Sequence, residues 1–458
     1  MDGPGLNCVG TRFRMPSAPL IVFLLATIYA SCMFTLSREV VIPYVFGSES
    51  GLIPGDPEYY DNLAKLRVVA MRENGLAAFE YAPDGQGVVG IVSLVYFVVP
   101  YAYGLVVLNA LLHGLASMTM FLLLRRWFSI KAAALGVLPV VAAPYMMSWF
   151  SGPNKDIFIL AGVLLLVYGL TGLNSNNKRS IWRNAGIAIL GAFIIGWVKP
   201  YINQILFPFV LIMFAGFVIA KLRYPNFRLK LHIALAGCAV LAAILLSSQG
   251  GRANDTIDHF MYNAQRVALS DHNAQRLALS DQCLSAVSDW QNTQWLPGAL
   301  ERRLKAIAGQ RCLMFTLLGN QDHPATLASI IERDFMPRSG VEMVEYLPRA
   351  AIIGVLSPVP ATWFQRPGGR LSTFYTVIPF EAALVYFGIV GFVVFVIRDR
   401  TYSITVPLAL AVYAMTVYGM ATPFIGALYR YRYPFWEILL CFGVAAIWSV
   451  MRNRTEAS

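Results

Sequence analysis

The sequence predicts an all-α integral membrane protein, and its composition, its apolar segments and its distribution of positive charge all point to that class. Apolar residue types make up 57% of the 458 residues and charged types only 13%, whereas a soluble domain carries about 25% charged residues. The mean hydropathy is +0.57. This composition excludes a soluble enzyme, a disordered chain, a collagen and a small disulfide-framework protein.

Ten segments are long and apolar enough to be predicted as transmembrane helices, because a hydrocarbon core of about 30 Å needs about 20 helical residues. In chain order they are Ser17–Leu36, Gly104–Leu124, Ala132–Phe150, Asp156–Leu173, Ala185–Tyr201, Ile202–Ala220, Leu231–Ser247, Phe374–Ile397, Tyr402–Thr422 and Tyr433–Met451. Two shorter apolar stretches, Val88–Val99 and Ala350–Val359, are predicted to be interfacial or re-entrant segments.

Positive charge predicts that both termini are cytoplasmic. With that orientation the cytoplasmic segments hold 16 basic residues and few acids. The two large extracytoplasmic loops run the other way, with eight acids and four basic residues in 37–87, and eleven acids and nine basic residues in 249–346. The net charge of +11 is therefore a topology signal and not a nucleic-acid footprint.

The predicted organisation has four parts. Residues 1–16 form a cytoplasmic tail, and 17–248 form a membrane core of seven helices that includes the loop 37–87. Residues 249–373 form a large extracytoplasmic loop, and 374–458 form three further helices with a short cytoplasmic tail. Cys283 and Cys312 share the large loop, and in an oxidising compartment they are candidates for a disulfide.

The first large loop contains candidate catalytic carboxylates in the segment Gly55–Ala64. Asp56 is predicted to cap a helix that Pro57 begins, and Asp61 is predicted to pair with Lys65 one turn later. An acid at the boundary of lipid and water can also take a proton from a sugar hydroxyl. We therefore expect Asp56 and Asp61 to be catalytic candidates with Tyr60 beside them, while the capping role remains an alternative.

Four cations are expected at the extracytoplasmic boundary, on the side where the charge rule disfavours them. Lys155 precedes Asp156 at a helix N-terminus, where the helix dipole also disfavours a cation. Lys199 lies at another outside turn, and Arg430 and Arg432 precede the last predicted helix. Such cations suit a phosphate ligand. The alternatives are snorkelling side chains, a Lys–Asp pair and an interfacial aromatic belt.

Short motifs in these loops resemble bacterial GT-C type membrane glycosyltransferases, the class that contains protein mannosyltransferases and aminoarabinose transferases. The residues that carry the resemblance are Asp56, Tyr60 and Ala64, Asn154-Lys155-Asp156, Tyr346-Leu347-Pro348-Arg349 with Pro358 and Pro360, and Arg430-Tyr431-Arg432-Tyr433-Pro434. Many relatives have adjacent Asp-Glu in the first loop, whereas Pro57 separates Asp56 from Glu58 here.

The resemblance implies inverting transfer of a sugar from a polyprenyl-phosphate carrier to a glycan or lipid acceptor, with Asp56 as general base. It implies surface-polysaccharide assembly at the bacterial inner membrane. No cofactor is assigned, and a divalent metal stays open because no Asp-x-Asp motif is present. Two alternatives remain. One is an O-antigen-type polymerase or ligase, and the other is a polytopic transporter or flippase, which would keep its ions at mid-membrane.

Overall fold

A computed structural model gives the fold. It describes residues 17–99, 102–173, 175, 177–222, 227–248, 285–318, 330–332, 334–360, 377–398 and 402–455. These residues form helices and turns without a β-strand, so the prediction of an all-α protein is confirmed for them. Five helices in this part of the chain are long and apolar enough to cross a membrane by length and composition: Ala18–Phe46, Tyr103–Leu124, Lys178–Val198, Leu231–Ser248 and Ile425–Met451. A membrane-embedded protein is therefore supported, and the count of ten spans stays a prediction.

We number the α-helices of the described ranges in chain order. The amino-terminal ones are α1 Ala18–Leu36, α2 Ile42–Phe46, α3 Asp56–Asn74, α4 Gly87–Val98, α5 Ala102–Leu124, α6 Ile130–Gly136, α7 Leu138–Ala142, α8 Pro144–Phe150 and α9 Asp156–Gly172. The remaining ones are α10 Lys178–Val198, α11 Pro200–Leu222, α12 Phe227–Ser248, α13 Gly298–Leu318, α14 Gly340–Glu345, α15 Leu347–Leu356, α16 Val377–Arg398, α17 Tyr402–Ala421 and α18 Ile425–Thr455.

The third predicted span is not one helix, because it breaks into α6, α7 and α8. Pro139 and Pro144 lack a backbone N–H, and Ala143 between α7 and α8 adopts a left-handed conformation with φ 32°. Side chains satisfy the carbonyls that the break releases. The His113 ring pairs with the Val141 carbonyl at 3.2 Å, and the Tyr29 hydroxyl donates to the Ala142 carbonyl at 3.4 Å. A prediction from length and hydropathy alone could not locate this break.

The last helix starts earlier than predicted. The last predicted span begins at Tyr433, but α18 begins at Ile425 and runs through Pro434. Proline inside a membrane helix is tolerated where neighbouring groups satisfy the freed backbone. Tyr433 is 1% exposed and packs in the core. Arg430 and Arg432 therefore lie on a helix and not in a loop.

Helix α9 is the centre of the bundle and carries the candidate site at its first residue. Nearly every side chain from Asp156 to Thr171 is buried. Glycines let α10 approach closely, since a Cβ at Gly169 would lie 2.5 Å from the Ala188 nitrogen and a Cβ at Gly191 would lie 2.5 Å from the Gly162 carbonyl oxygen. Small residues at helix contacts are typical of membrane bundles. The close contact fixes the ends of α9 and α10 relative to each other.

Helices α3 and α4 pack against each other beside the end of the bundle where α9 begins. One face of α3 is buried and includes Tyr60, Ala64 and Val68, at the spacing of a helical stripe. Asp61 accepts a 2.6 Å hydrogen bond from the Tyr96 hydroxyl of α4 and pairs with Lys65 at 2.6 Å. The predicted Asp61–Lys65 pair is confirmed. Helix α4 and helix α15 correspond to the two apolar stretches that were predicted to be too short to cross.

The large loop also contains helices. Arg311 of α13 is 1% exposed and donates to the carbonyls of Ile331 and Glu332 at 2.9 Å, and to that of Met420 at the end of α17 at 3.4 Å. These bonds fasten part of the loop to the bundle. Cys312 is disulfide-bonded. The predicted partner Cys283 lies outside the described residues.

Candidate functional site

Four chain segments meet at one end of the bundle and bring together most of the predicted site residues. They are the start of α3, the turn between α8 and α9, the turn between α10 and α11, and the second turn of α18. We call the charged group at this junction the charge cluster. Its members are Asp56, Lys155, Asp156, Lys199 and Arg430.

Asp156 is the centre of the charge cluster. Its side chain is 4% exposed, and it binds two cations that come from other segments. One oxygen, Oδ1, lies 3.0 Å from Lys199 Nζ, and the other, Oδ2, lies 2.9 Å from Arg430 Nε. The predicted alternative of a Lys155–Asp156 pair is wrong, because the partners of Asp156 are distant in sequence. A single carboxylate thus fixes two cations whose segments would otherwise repel each other.

Arg430 is held on several sides and faces Asp56 with one edge. Its guanidinium carbon lies 3.9 Å from the centre of the Trp149 ring, and Nη2 donates to Asn154 Oδ1 at 3.3 Å. The same Nη2 lies 3.7 Å from Asp56 Oδ2. Asp56 is 55% exposed, so it is the part of the cluster that solvent reaches most easily.

Among the described residues, no carboxylate forms an ion pair with Lys155. Its ammonium donates to the Gln86 side-chain oxygen at the start of α4 and lies 4.9 Å from the centre of the Tyr60 ring. Burial, and then the nearby Lys199, lower the pKa of Lys155 to about 8. Lys155 is therefore charged at neutral pH, and an anion placed beside it would be favoured.

The aromatic residues of the site support its cations. The Lys199 ammonium lies 4.6 Å from the centre of the Tyr431 ring. Each of the three cations thus lies near an aromatic ring, a geometry that stabilises a desolvated positive charge. Burial, and then Asp56, raise the pKa of Tyr60, so its hydroxyl stays protonated and can donate a hydrogen bond.

The charge cluster has an unfilled capacity for a negative ligand. Three cations against two carboxylates leave one positive charge in excess. Asn154 is 1% exposed, and its Nδ2 is buried without a hydrogen-bond partner. A buried donor without a partner costs about 1–3 kcal/mol. An oxyanion at this place would accept from Asn154 and balance the excess charge, so the arrangement suits a phosphate group.

Asn109 of α5 binds the turn between α8 and α9, which leads into Asn154, Lys155 and Asp156. Its Nδ2 donates to the carbonyls of Phe150 at 2.7 Å and Gly152 at 2.9 Å, and the side chain is fully buried. The Arg38 guanidinium lies 3.4 Å from the Ser151 carbonyl oxygen. The loop is therefore set by contacts with neighbouring helices, which fixes the position of Lys155.

Two of the charged residues predicted for the site, Asp61 and Arg432, lie outside the charge cluster. Asp61 joins α3 to α4 through Tyr96 and Lys65. Arg432 is 1% exposed on a different face of α18 from Arg430, and its Nη1 donates to the carbonyl of Gly354 at 2.6 Å. It thereby caps the carboxyl end of α15, where the helix dipole favours a cation. For both residues the observed contacts are structural.

The structure gives Asp56 a different position from the one predicted. Gly55 is the N-cap of α3 and Asp56 its first residue, with no side-chain cap hydrogen bond, so the predicted capping role is wrong. Tyr60, predicted to lie beside the candidate carboxylates, is 6% exposed, whereas the neighbouring Tyr59 is 53% exposed. Asp56 is thus free of a local backbone role and faces Arg430.

Three residues of the site were not predicted as ligand-contacting groups. Gln86 contacts Lys155, Trp149 supports Arg430, and Tyr431 supports Lys199. Tyr431 alternates with the two arginines in the motif before Pro434, which is a weak sequence signal. Gln86 and Trp149 carry none, because they meet the cluster only through tertiary packing.

The donor set gives little support to a divalent metal. Among the described residues, no three or more His, Cys, Asp and Glu side chains group closely enough to hold one. The two carboxylates of the charge cluster are both directed at Arg430. The residues present therefore do not fit a metal.

Comparison with known proteins adds no family. No protein-family model matches the chain, and no curated protein matches its sequence. Function is therefore inferred from the charge cluster and its place in the fold.

Proposed function

We propose that this protein is a membrane glycosyltransferase that moves a sugar from a polyprenyl-phosphate carrier to a glycan or lipid acceptor. In this proposal ten helices span the bacterial inner membrane with both termini in the cytoplasm. The charge cluster then faces the extracytoplasmic side, together with the two large loops. The reaction serves surface-polysaccharide assembly.

The observation that carries the proposal is the pairing of a buried cation site with an accessible carboxylate. Lys155 and the unpartnered donor of Asn154 offer an oxyanion site. Asp56 is 55% exposed within 3.7 Å of Arg430, at the edge of that site. A phosphate leaving group and an attacking hydroxyl need these two environments side by side.

The chemistry follows as a single displacement. The acceptor hydroxyl oxygen attacks the anomeric carbon of the donor sugar, and the bond from that carbon to the phosphate oxygen breaks. The bonding electrons leave with the phosphate, where Lys155 and Arg430 stabilise the negative charge. The hydroxyl proton passes to the Asp56 carboxylate and then to solvent. The configuration at the anomeric carbon inverts, because one displacement occurs.

The place of the cluster supports a lipid-linked donor. Gln86, the partner of Lys155, immediately precedes the short apolar helix α4. Beyond it, Leu94, Val98 and Tyr103 line part of an open apolar groove of about 480 Å³ between α4 and α5. The groove begins about 12 Å along α4 from Gln86 at 1.5 Å per residue, so a long hydrocarbon chain on a phosphate held at the cluster reaches this apolar surface by following α4.

Two alternatives make different use of the same features. A polymerase or ligase would bind a lipid pyrophosphate with the same three cations. A transporter or flippase is favoured by one observation, the break between α7 and α8 beside the buried Glu381, whose carboxylate accepts from the Tyr145 backbone N–H at 3.0 Å. Broken helices and buried acids are common at transport sites.

A glycolipid profile of a strain that lacks the protein tests the proposal. We expect a glycan that misses one sugar, and restoration by the wild-type chain but not by Asp56→Asn at equal membrane level. Accumulated single repeat units would favour the polymerase. A complete glycan retained on the cytoplasmic side would favour the flippase, and normal glycan from Asp56→Asn would remove Asp56 as the base.

A further inference from the structure

The opposite end of the bundle carries a second concentration of positive charge. Helix α9 spans 17 residues from Asp156 to Gly172, which places its far end about 25 Å from the charge cluster at 1.5 Å per residue. The connections at that end, 125–131 and 173–183, contain no acid. They contain six basic residues: Arg125, Arg126, Lys131, Lys178, Arg179 and Arg183.

Arg126 follows the end of α5, and its side chain lies in a pocket lined by α9 and α10. Its guanidinium carbon lies 4.0 Å from the centre of the Tyr168 ring of α9, and Nη1 donates to the Thr171 hydroxyl. Its Nη2 lies 3.4 Å from Asn184 Oδ1 of α10. The side chain is half-buried. The ring and the two polar side chains thus fix the guanidinium while part of it stays accessible.

Within the described residues no carboxylate forms an ion pair with Arg126 or Arg183. Burial, with a smaller effect of Arg183, lowers the pKa of Arg126. A guanidinium has five N–H donors, and the side chains of Thr171, Asn184 and Tyr168 use three of them. The pocket therefore holds a charge that neighbouring side chains orient but do not neutralise.

The surrounding residues indicate the depth of this pocket relative to a membrane. Trp182, next to Arg183 on α10, is 43% exposed and its Nε1 lies 3.4 Å from His232 Nδ1 of α12. Exposed tryptophan beside arginine at the end of an apolar helix is typical of headgroup level. Lipid phosphates lie at that level, whereas a soluble anion would have to enter the interface.

We propose that the Arg126 pocket, with Arg183 at its edge, binds the headgroup of an anionic phospholipid. The phosphodiester accepts hydrogen bonds from the free edge of the Arg126 guanidinium, and the exposed Arg183 supplies the second charge. The acyl chains lie along the lipid-facing surfaces of α5 and α10. This site is independent of the chemistry at the charge cluster, since it lies at the other end of α9.

Lipid-exchange measurements on the full-length purified protein test the proposal. Native mass spectrometry would count bound phosphatidylglycerol against phosphatidylcholine of equal chain length. We expect the wild-type protein to retain phosphatidylglycerol preferentially, and Arg126→Gln and Arg183→Gln each to weaken that retention at least threefold. Lys131→Gln is the matched control, because it removes one exposed charge from the same end outside the pocket.

The outcomes separate the possible sources of binding. Equal losses in Arg126→Gln and Lys131→Gln would show diffuse attraction to a basic surface and overturn the pocket. Displacement of the lipid by millimolar inorganic phosphate would show a soluble-anion site and overturn the lipid assignment. Arg183→Gln keeps the test decisive if Arg126→Gln does not fold, because Arg183 is exposed and makes no packing contact described above.

Discussion

Replacing Asp56 with asparagine should produce two opposite effects, tighter binding of the lipid phosphate and loss of transfer. Asp56 Oδ2 lies 3.7 Å from Arg430 Nη2, so the carboxylate competes with an incoming phosphate for that guanidinium. Removing its charge also raises the excess positive charge of the cluster from one to two. The proton acceptor disappears in the same variant, so sugar transfer stops.

The size of the binding effect follows from the exposure of Asp56. A pair of unit charges at this distance is worth about 1 kcal/mol in water and about 4 kcal/mol at an effective dielectric constant of about 20. Because the Asp56 side chain is 55% exposed, the lower value applies. About 1 kcal/mol corresponds to roughly fivefold in affinity.

Equilibrium binding of a short-chain polyprenyl phosphate to the detergent-solubilised protein would measure the change, beside a transfer assay on the same preparation. Glu58→Gln is the control, because it removes an acid from the same turn of α3 without an ion pair to Arg430 among the described contacts. The reasoning is refuted if Asp56→Asn binds no tighter than wild type. It is also refuted if Glu58→Gln tightens binding equally, since the effect would then be general to the surface.

Three further predictions concern single side chains. Anion affinity should be full below about pH 8 and fall as pH rises through that value, because Lys155 then loses its proton; Lys155→Arg should remove this dependence in a binding titration. Arg430→Ala should weaken lipid-phosphate binding at least tenfold, whereas Arg432→Ala should lower thermal stability without changing affinity, and equal affinity losses would place both arginines at the ligand. Asn109→Leu leaves two buried carbonyls without a donor, so we expect the free energy of unfolding to fall by about 2–4 kcal/mol and the KM to rise. Thermal unfolding and steady-state kinetics measure the two effects. An unchanged melting temperature would contradict the role of that side chain.

The sequence was sufficient for the helical class and for most of the cluster. Lys155, Lys199 and Arg430 were predicted as site residues because they are cations on the side of the membrane where the charge rule disfavours them. Removing a cation from water costs free energy unless a partner or a ligand stabilises the charge. The sequence was insufficient where a side chain donates hydrogen bonds to the backbone carbonyls of another helix. Arg432 follows the same charge pattern as Arg430, yet its guanidinium caps α15.

The sequence by itself determined the apolar segments and their charged ends. The free energy of moving a helix from water into the bilayer depends on the residues of that segment, which can be read directly from the sequence. The pairing of Asp156 with Lys199 and Arg430 was decided by tertiary structure. These three residues are separated by up to 274 positions, and only the packing of α9 against α10 and α18 brings them within hydrogen-bonding distance. A hydrogen-bonded ion pair forms only where the two groups come within about 4 Å of each other, so the partners follow from the fold and not from local sequence.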